Sequence, residues 1–248
     1  TRFRNVTGVQ TCALPILREA AGRDEACART VADALGWPFL SEREDVRARA
    51  SREHQSIESA GRAARHEFFT RARAHYGADV VAVGHTRDDQ AETFLLRLLR
   101  GAGPRGLSAM HPRSGAVIRP LLDCRRAELR AYLAERHVSF VEDETNADVS
   151  IPRNRVRAEL LPLLEARFNP AIVVTLASQA ALARDDWNWM SAEVSGRTLD
   201  VGSVGELLAA PPALGRLALW QAMTDAAGGK TVSVEHVEAV LDLLRAPE

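Results

Sequence analysis

The spacing of apolar residues predicts alternating helices and strands over the first two thirds of the chain. Ala-rich residues 19–35 predict a helix that ends at Gly36. Residues 57–76 place apolar side chains along one side, which predicts a second helix closed by Gly77. The short apolar run at residues 79–84 is rich in β-branched side chains and favours a buried strand.

Further elements follow along the chain. We expect a strand near residues 37–40, a helix at 87–100, an extended segment at 117–118, a helix at 125–136, an extended run at 138–141 and a helix at 155–167 that Pro162 disturbs. The order helix, strand, helix, strand, helix is typical of an α/β unit with a parallel sheet.

The pattern changes near Asn169 and Pro170, which together make a favourable helix start. Beyond them the chain is mainly helical, with helices expected at residues 171–194, 213–226 and 233–245 and a short strand at 198–201. We therefore predict a domain boundary near residues 166–170. Residues 1–16 have neither a helical period nor strand alternation, and we expect them to be a non-native segment.

The composition narrows the class of protein. Hydrophobic residues make up 46% and charged residues 26%, which is typical of a soluble globular protein. The apolar runs are shorter than the roughly 18 residues that a membrane span needs, so no membrane association is expected. The three cysteines, Cys12, Cys27 and Cys124, are widely separated, which favours a reduced, cytoplasmic protein without a cysteine metal site.

Charge is informative only locally. The formal net charge is -1. Residues 97–130 hold eight arginines against Asp123 and Glu128, a local balance of 8 − 2 = +6. Such a stretch can follow a phosphate backbone, although charged helix faces are common in proteins of every function.

The segment from Gly84 to Thr93, GHTRDDQAET, carries the most chemistry. It ends a predicted strand and opens a helix, where ligands bind in open α/β sheets. Asp89 and Glu92 are spaced i, i+3 and share a helix face, so they can coordinate Mg²⁺ or act as a general base. Thr86 and Asp89 can equally be a capping pair, with the acids complementing the helix dipole.

The motif GHTRDDQAETFLLRLLRGAG resembles the GHT-x-DDQ-x-ET…RGSG signature of tRNA(Ile)-lysidine synthases, in the N-type ATP-pyrophosphatase (PP-loop) superfamily. Five further segments match that family in order. They are the helix with Ile57, Glu58, Arg62 and Arg65, the segment GLSAM at 106–110, IRPLL at 118–122, VEDETN at 141–146, and RNRVR…LPLL over 153–164.

This resemblance implies a fold and an activity. It implies a Rossmann-like parallel-sheet nucleotide-binding domain lacking its first strands, at residues 17–168, followed by a smaller helical tRNA-recognition domain at 169–248. The family uses ATP and Mg²⁺ to adenylate the wobble cytidine of tRNA(Ile) with a CAU anticodon. The amine of L-lysine then displaces AMP and forms a C–N bond. We also expect a homodimer.

The resemblance also suggests residue roles. Asp89 and Glu92 would activate lysine or position Mg²⁺, and His85 and Asp88 would line the nucleotide pocket. The residues expected to bind phosphate or tRNA are Arg97, Arg100, Arg153 and Arg157. The residues expected to organise the site are Glu142, Asn146 and Asn154.

One family element does not occur in the sequence. The superfamily's SGGxDS loop, whose backbone N–H groups cradle phosphate, is not found in the chain. We therefore expect the activity to belong to the parent protein and this chain to be inactive by itself. Two alternatives stay open: a non-catalytic tRNA-binding module, and another PP-loop tRNA-modifying enzyme. The separated cysteines disfavour a thiolation enzyme of the second kind.

Overall fold

A computed structural model describes residues 9–11, 19–138, 140–141, 147–196, 200–229 and 232–246. The strands are β1 Val9–Thr11, β2 Phe39–Ser41, β3 Val81–Ala82, β4 Arg113–Ser114 and β5 Val117–Ile118. The helices are α1 Glu19–Leu35, α2 Val46–Arg52, α3 Ile57–Tyr76, α4 Arg87–Leu99, α5 Pro104–Leu107, α6 Arg126–Glu135, α7 Pro152–Arg155, α8 Leu161–Arg167, α9 Ile172–Gly196, α10 Val204–Ala209, α11 Pro212–Ala226 and α12 Val234–Arg245.

The described residues form two compact units. The first takes the described residues of Thr1–Arg87 and Pro112–Glu159, and the second takes those of Asp88–His111 and Leu160–Glu248. The domain boundary expected near residues 166–170, and the non-native character expected for residues 1–16, stay predictions.

The first unit is α/β, as the helix and strand order predicted. Strand β1 pairs in parallel with β2, and β3 pairs in parallel with β5. Strand β4 runs antiparallel to β5 across a turn in which Gly115 has φ +58°, a conformation that glycine adopts without strain. The strands are short, with only two or three residues each.

Helix α3 forms the core of the first unit. Its small and aromatic residues face inward, because the apolar positions recur with the helical period. The buried positions are Ala60, Gly61, Ala64, Phe68 and Ala72. Helix α2, which the sequence pattern did not predict, packs against α3 through Val46, Ala50 and Ala60.

The second unit is helical. Leu214, Leu217 and Ala218 of α11 pack with Val194 of α9. The other side of α11 packs against α10 and α12 through Leu207, Leu219, Val237 and Leu241. Arg105 lies over the Trp220 ring, with its guanidinium carbon 4.5 Å from the ring centroid, which joins α5 to α11.

The predicted disturbance by Pro162 is confirmed. The segment Val156–Leu160 winds as a π-helix, and a regular helix resumes at Leu161. Pro162 has no N–H to complete the backbone hydrogen-bond pattern of an α-helix, and the turn before it adopts the wider winding of a π-helix. Among the described helices, no single one is long and apolar enough to cross a bilayer, while the bent pair Pro152–Arg167 and Ile172–Gly196 meets that test together.

Candidate active site

The connection from β3 to α4 holds the most informative motif. Val83 N donates to Ile118 O at 2.9 Å, which fixes the end of β3 beside β5. Arg87 N, at the first residue of α4, donates to Cys124 O at 2.9 Å. These two bonds anchor the segment between strand and helix at both ends. Within it His85 is half-buried and Thr86 is buried.

Three acidic residues lie in the first two turns of α4. Asp88 and Asp89 are half-buried in the first turn, where a helix favours negative charge. Glu92, one turn later, has 0% of its surface exposed. A buried carboxylate requires compensation by hydrogen bonds or charge, so Glu92 is held in a fixed position while Asp89 is reachable from solvent.

Gln90 fastens α4 to the loop that follows it. Its side-chain Nε2 donates to Met110 O, and Met110 N donates to its Oε1, both at 2.9 Å. Gln90 is only 3% exposed, so the paired amide bonds are shielded from water. The glutamine of the DDQ motif therefore orients this loop against the acidic turn.

Arg97 holds the same loop from the next turns of α4. Its Nη1 donates to Gly106 O at 2.8 Å and to Ala109 O at 3.0 Å. Ala109 is buried and has φ +46°, a left-handed conformation that a non-glycine residue adopts at some cost. The arginine thus stabilises an irregular loop backbone. Arg100 is exposed, and tRNA binding by Arg97 and Arg100 stays a prediction.

The Arg153–Arg157 segment lies in the first unit. Asn154 is buried, and its Nδ2 donates to Asp148 O at 3.0 Å, which holds the turn that precedes α7. Arg153 and Arg157 are half-buried. Glu142 and Asn146, the other two residues expected to organise the site, lie outside the described residues.

The structure thus places the predicted residues in two groups. Asp88, Asp89, Glu92 and Arg97 share α4 in the second unit, while His85, Arg153, Asn154 and Arg157 belong to the first.

The carboxylates at the start of α4 are the candidate metal ligands of this site. Within the described part of the chain, no group of three or more His, Cys, Asp or Glu side chains is placed to hold a metal ion. Mg²⁺ usually keeps several waters and binds one or two carboxylates together with substrate phosphate oxygens. Asp89 and Glu92 fit that requirement in their oxygen chemistry.

A basic cluster on the first unit was not among the predicted site residues. It comprises Arg62, Arg65 and His66 on α3 and Arg119 directly after β5. Desolvation lowers the pKa of His66, and the positive charges of Arg62, Arg65 and Arg119 lower it further. Arg62, Arg65 and Arg119 occur in two of the matched motifs, but no spacing rule shows that those motifs meet.

Comparison with known proteins places the chain in a class. The profile of the PP-loop domain matches residues 5–164, and the chain belongs to this family. The family implies an ATP-binding domain. A solved structure, the U34-tRNA thiolase of Methanococcus maripaludis with its [4Fe-4S] cluster, shares the fold with a TM-score of 0.53 at 14% identity, covering 71% of this chain and 61% of that one.

Similarity in sequence narrows the class. The chain is 47% identical over 169 residues to the tRNA(Ile)-lysidine synthase of Geobacter sulfurreducens, covering 67% of this chain and 36% of that protein. It is 37% identical over 248 residues to the tRNA(Ile)-lysidine synthase of Dehalococcoides mccartyi, covering 92% of this chain and 52% of that protein. The chain thus spans between a third and about half of the length of these curated relatives.

Proposed function

We propose that the protein to which this chain belongs ligates L-lysine to the wobble cytidine of tRNA(Ile) with a CAU anticodon, at the expense of ATP. The observation that carries the proposal is the acidic start of α4, with a reachable Asp89 and a fully buried Glu92 one turn apart. The similarity to lysidine synthases over 67% to 92% of the chain supports it.

The reaction would proceed in two steps. The C2 oxygen of the cytidine attacks the α-phosphorus of ATP, and pyrophosphate leaves. The amine of lysine then attacks C2, the bond between C2 and the oxygen that carries the phosphate breaks, and AMP leaves. The amine loses a proton as the C–N bond forms, and a positioned carboxylate can accept that proton.

The residues of α4 suggest a division of roles. Asp89, which is half-buried, would accept the proton from the lysine amine or bind Mg²⁺. Glu92, which is fully buried, would hold its carboxylate in a fixed orientation toward the same ligands. Mg²⁺, when bound, would neutralise charge on the transferring phosphate. His85 and Asp88 would line the nucleotide site.

The loop contacts of Gln90 and Arg97 support this arrangement. A catalytic carboxylate must be held in a fixed geometry by its surroundings, and the two side chains fix the loop that follows the acidic turn. The cytoplasmic location and the homodimer stay predictions of the sequence.

The test is lysine incorporation by a chimera. Residues 17–248 are joined to a PP-loop N-terminal segment that carries an SGGxDS loop. Labelled L-lysine, ATP and a tRNA(Ile) transcript with a CAU anticodon are then added. We expect ATP-dependent incorporation, reduced at least about a hundredfold in Asp89→Asn, because general acid–base groups contribute roughly that much or more.

The matched control is Asp186→Asn, which removes an exposed carboxylate of α9. It should retain the activity of the parent chimera. A chimera that binds the tRNA but incorporates no lysine would contradict the proposal and favour a non-catalytic tRNA-binding module.

A further inference from the structure

The loop between α4 and β4 is fastened to the helix that carries the acidic turn. Gln90 exchanges two hydrogen bonds with the backbone of Met110, each 2.9 Å long. Arg97 donates to the carbonyls of Gly106 and Ala109. The geometry of this loop and that of the first turns of α4 therefore depend on each other.

A further contact to the same loop comes from α11, which belongs to the same unit. Arg105 of α5 places its guanidinium carbon 4.5 Å from the ring centroid of Trp220. A cation at this distance over an indole face is attracted by the negative face of the ring. Arg105 is exposed and forms no ion pair among the described residues, so the indole is the group that fixes this side chain.

Trp220 is itself held firmly. Its Nε1 donates to Val232 O at 3.0 Å, and its ring meets Trp187 edge-on with centroids 5.8 Å apart. The half-buried ring also packs against both hydrophobic clusters of the second unit. An aromatic ring with its polar atom bonded and its body packed is a rigid anchor for a neighbouring cation.

The loop connects this anchor to the acidic turn. The buried Ser108 donates from Oγ to Arg105 O at 2.6 Å, which closes the short turn that follows Arg105. Two residues later, Met110 is bonded to Gln90, which directly follows Asp89 in the sequence. The contact on Trp220 thus restrains the backbone that orients the start of α4.

We propose that Arg105 is a positioning residue for the acidic turn of α4, acting through the Trp220 ring and the loop that binds Gln90. A reacting group depends on the contacts that support it, because a displacement of about 1 Å can cost about a hundredfold in rate. The inference rests on the proposed function for the identity of the reaction. It goes beyond that function by making a contact with α11 part of the support of the candidate active site.

The first measurement is hydrogen exchange of the Met110 amide, followed by NMR in the full 248-residue chain. Arg105→Gln removes the cation, while Arg105→Lys keeps one. The matched control is Arg167→Gln, because Arg167 is an exposed arginine of α8 in the same unit that forms no ion pair among the described residues. Arg47→Gln is a second control, at an exposed arginine of α2 that likewise has no ion pair in the described part of the chain.

We expect Met110 to exchange about fivefold faster in Arg105→Gln, which is the factor that an exposed cation–π contact contributes. Arg105→Lys should exchange at a rate closer to that of the parent, and both controls should match the parent. Unchanged exchange of Met110 in a folded Arg105→Gln chain overturns the inference. An equal acceleration at the amides of α12 also overturns it, because the variant would then lower the stability of the whole unit.

The second measurement is lysine incorporation by the chimera. Arg105→Gln should lower kcat about tenfold and leave KM for lysine and tRNA within about twofold, since a positioning residue acts on the reacting geometry and not on substrate binding. Arg105→Lys should restore most of the rate. A raised KM with an unchanged kcat would show that Arg105 contacts substrate and overturns the inference.

The two measurements separate this inference from the proposed function. Faster exchange of Met110 with an unchanged kcat overturns the positioning role, even though the chimera forms lysidine. A parent chimera that incorporates no lysine overturns the ligase activity, and the exchange of Met110 then decides alone whether Arg105 holds the loop against α4.

Discussion

The first unit contains arginines in two different settings. Arg49 of α2 is surrounded by acids, and its Nη1 donates to Glu67 of α3 at 3.0 Å and to Glu44 at 3.1 Å. Arg49 also bonds Glu53 at 3.2 Å through Nε. The result is a buried arginine with three carboxylate partners, which ties α2 to α3.

The other region is the basic cluster of Arg62, Arg65, His66 and Arg119. Desolvation lowers the pKa of His66, and the charges of Arg62, Arg65 and Arg119 lower it further. Among the described residues, Arg62 and Arg65 form no ion pair. The difference shows that arginine content alone predicts little. Arg49 is engaged by three acids, while Arg62 and Arg65 form no ion pair with an acid in the described part of the chain.

The largest expected effect comes from breaking the paired region. Arg49→Gln removes bonds to three carboxylates and leaves those carboxylates close together, so the melting temperature should fall by several degrees. Its tRNA affinity should not change, because the side chain is already engaged. Thermal denaturation with Arg47→Gln as the control measures the effect, and an unchanged melting temperature would show that the network contributes no stability.

A smaller effect is expected on the stability of the fold, and it depends on the charge of Glu67. Hydrogen bonding by Arg49 lowers the pKa of Glu67 from its ordinary value of 4.5. A carboxyl with a lowered pKa in the folded state contributes stability above the unfolded value, and that contribution is lost as the pH falls through the folded value. Glu67→Gln should therefore be less stable than the parent at pH 7.

The lowered pKa of Glu67 also determines how the stability difference should depend on pH. The difference in free energy of unfolding between parent and Glu67→Gln should shrink as the pH falls below about 4.5. Denaturant unfolding between pH 7 and pH 3 measures it. A difference that stays constant over this range would mean that the Arg49–Glu67 bond does not depend on the carboxylate charge.

The smallest effect is expected from the two exposed arginines of α3, Arg62 and Arg65. Arg62→Gln with Arg65→Gln should leave the melting temperature unchanged or raise it slightly at low salt, because like charges are removed. At about 1 M salt, where the Debye length is about 3 Å, the difference should vanish. Destabilisation by this variant at low salt would show that these arginines have acidic partners after all.

Both ends of helix α3 could be predicted from the sequence. Its apolar residues keep the helical period, and Gly77 closes it with φ +59°. Helix α2 could not be predicted in the same way, since its sequence is dominated by charge. Asp45 caps it by accepting from Ala48 N at 2.9 Å, and ion pairs with α3 add the rest.

The candidate site was predictable in its residue types and not in its contacts. The acidic start of α4 follows from the GHTRDDQAET motif. The bonds from Gln90 to Met110, 20 residues away, depend on the path of an irregular loop that no local pattern specifies. The effect of Arg62 on the pKa of Arg119, 57 positions further along the chain, likewise depends on the tertiary fold.

The charge of the basic cluster can be followed through the pKa of the His66 imidazole. Desolvation lowers that pKa, and the charges of Arg62, Arg65 and Arg119 lower it further. The His66 resonance among the seven histidines is assigned by comparison with His66→Gln. The NMR titration is then repeated with Arg62→Gln.

Arg62→Gln should raise the pKa of His66 toward the ordinary value of 6.5, and part of the lowering should persist because desolvation is its largest cause. An unchanged pKa of His66 in Arg62→Gln would contradict the account, because the charge of Arg62 would then not act on the imidazole.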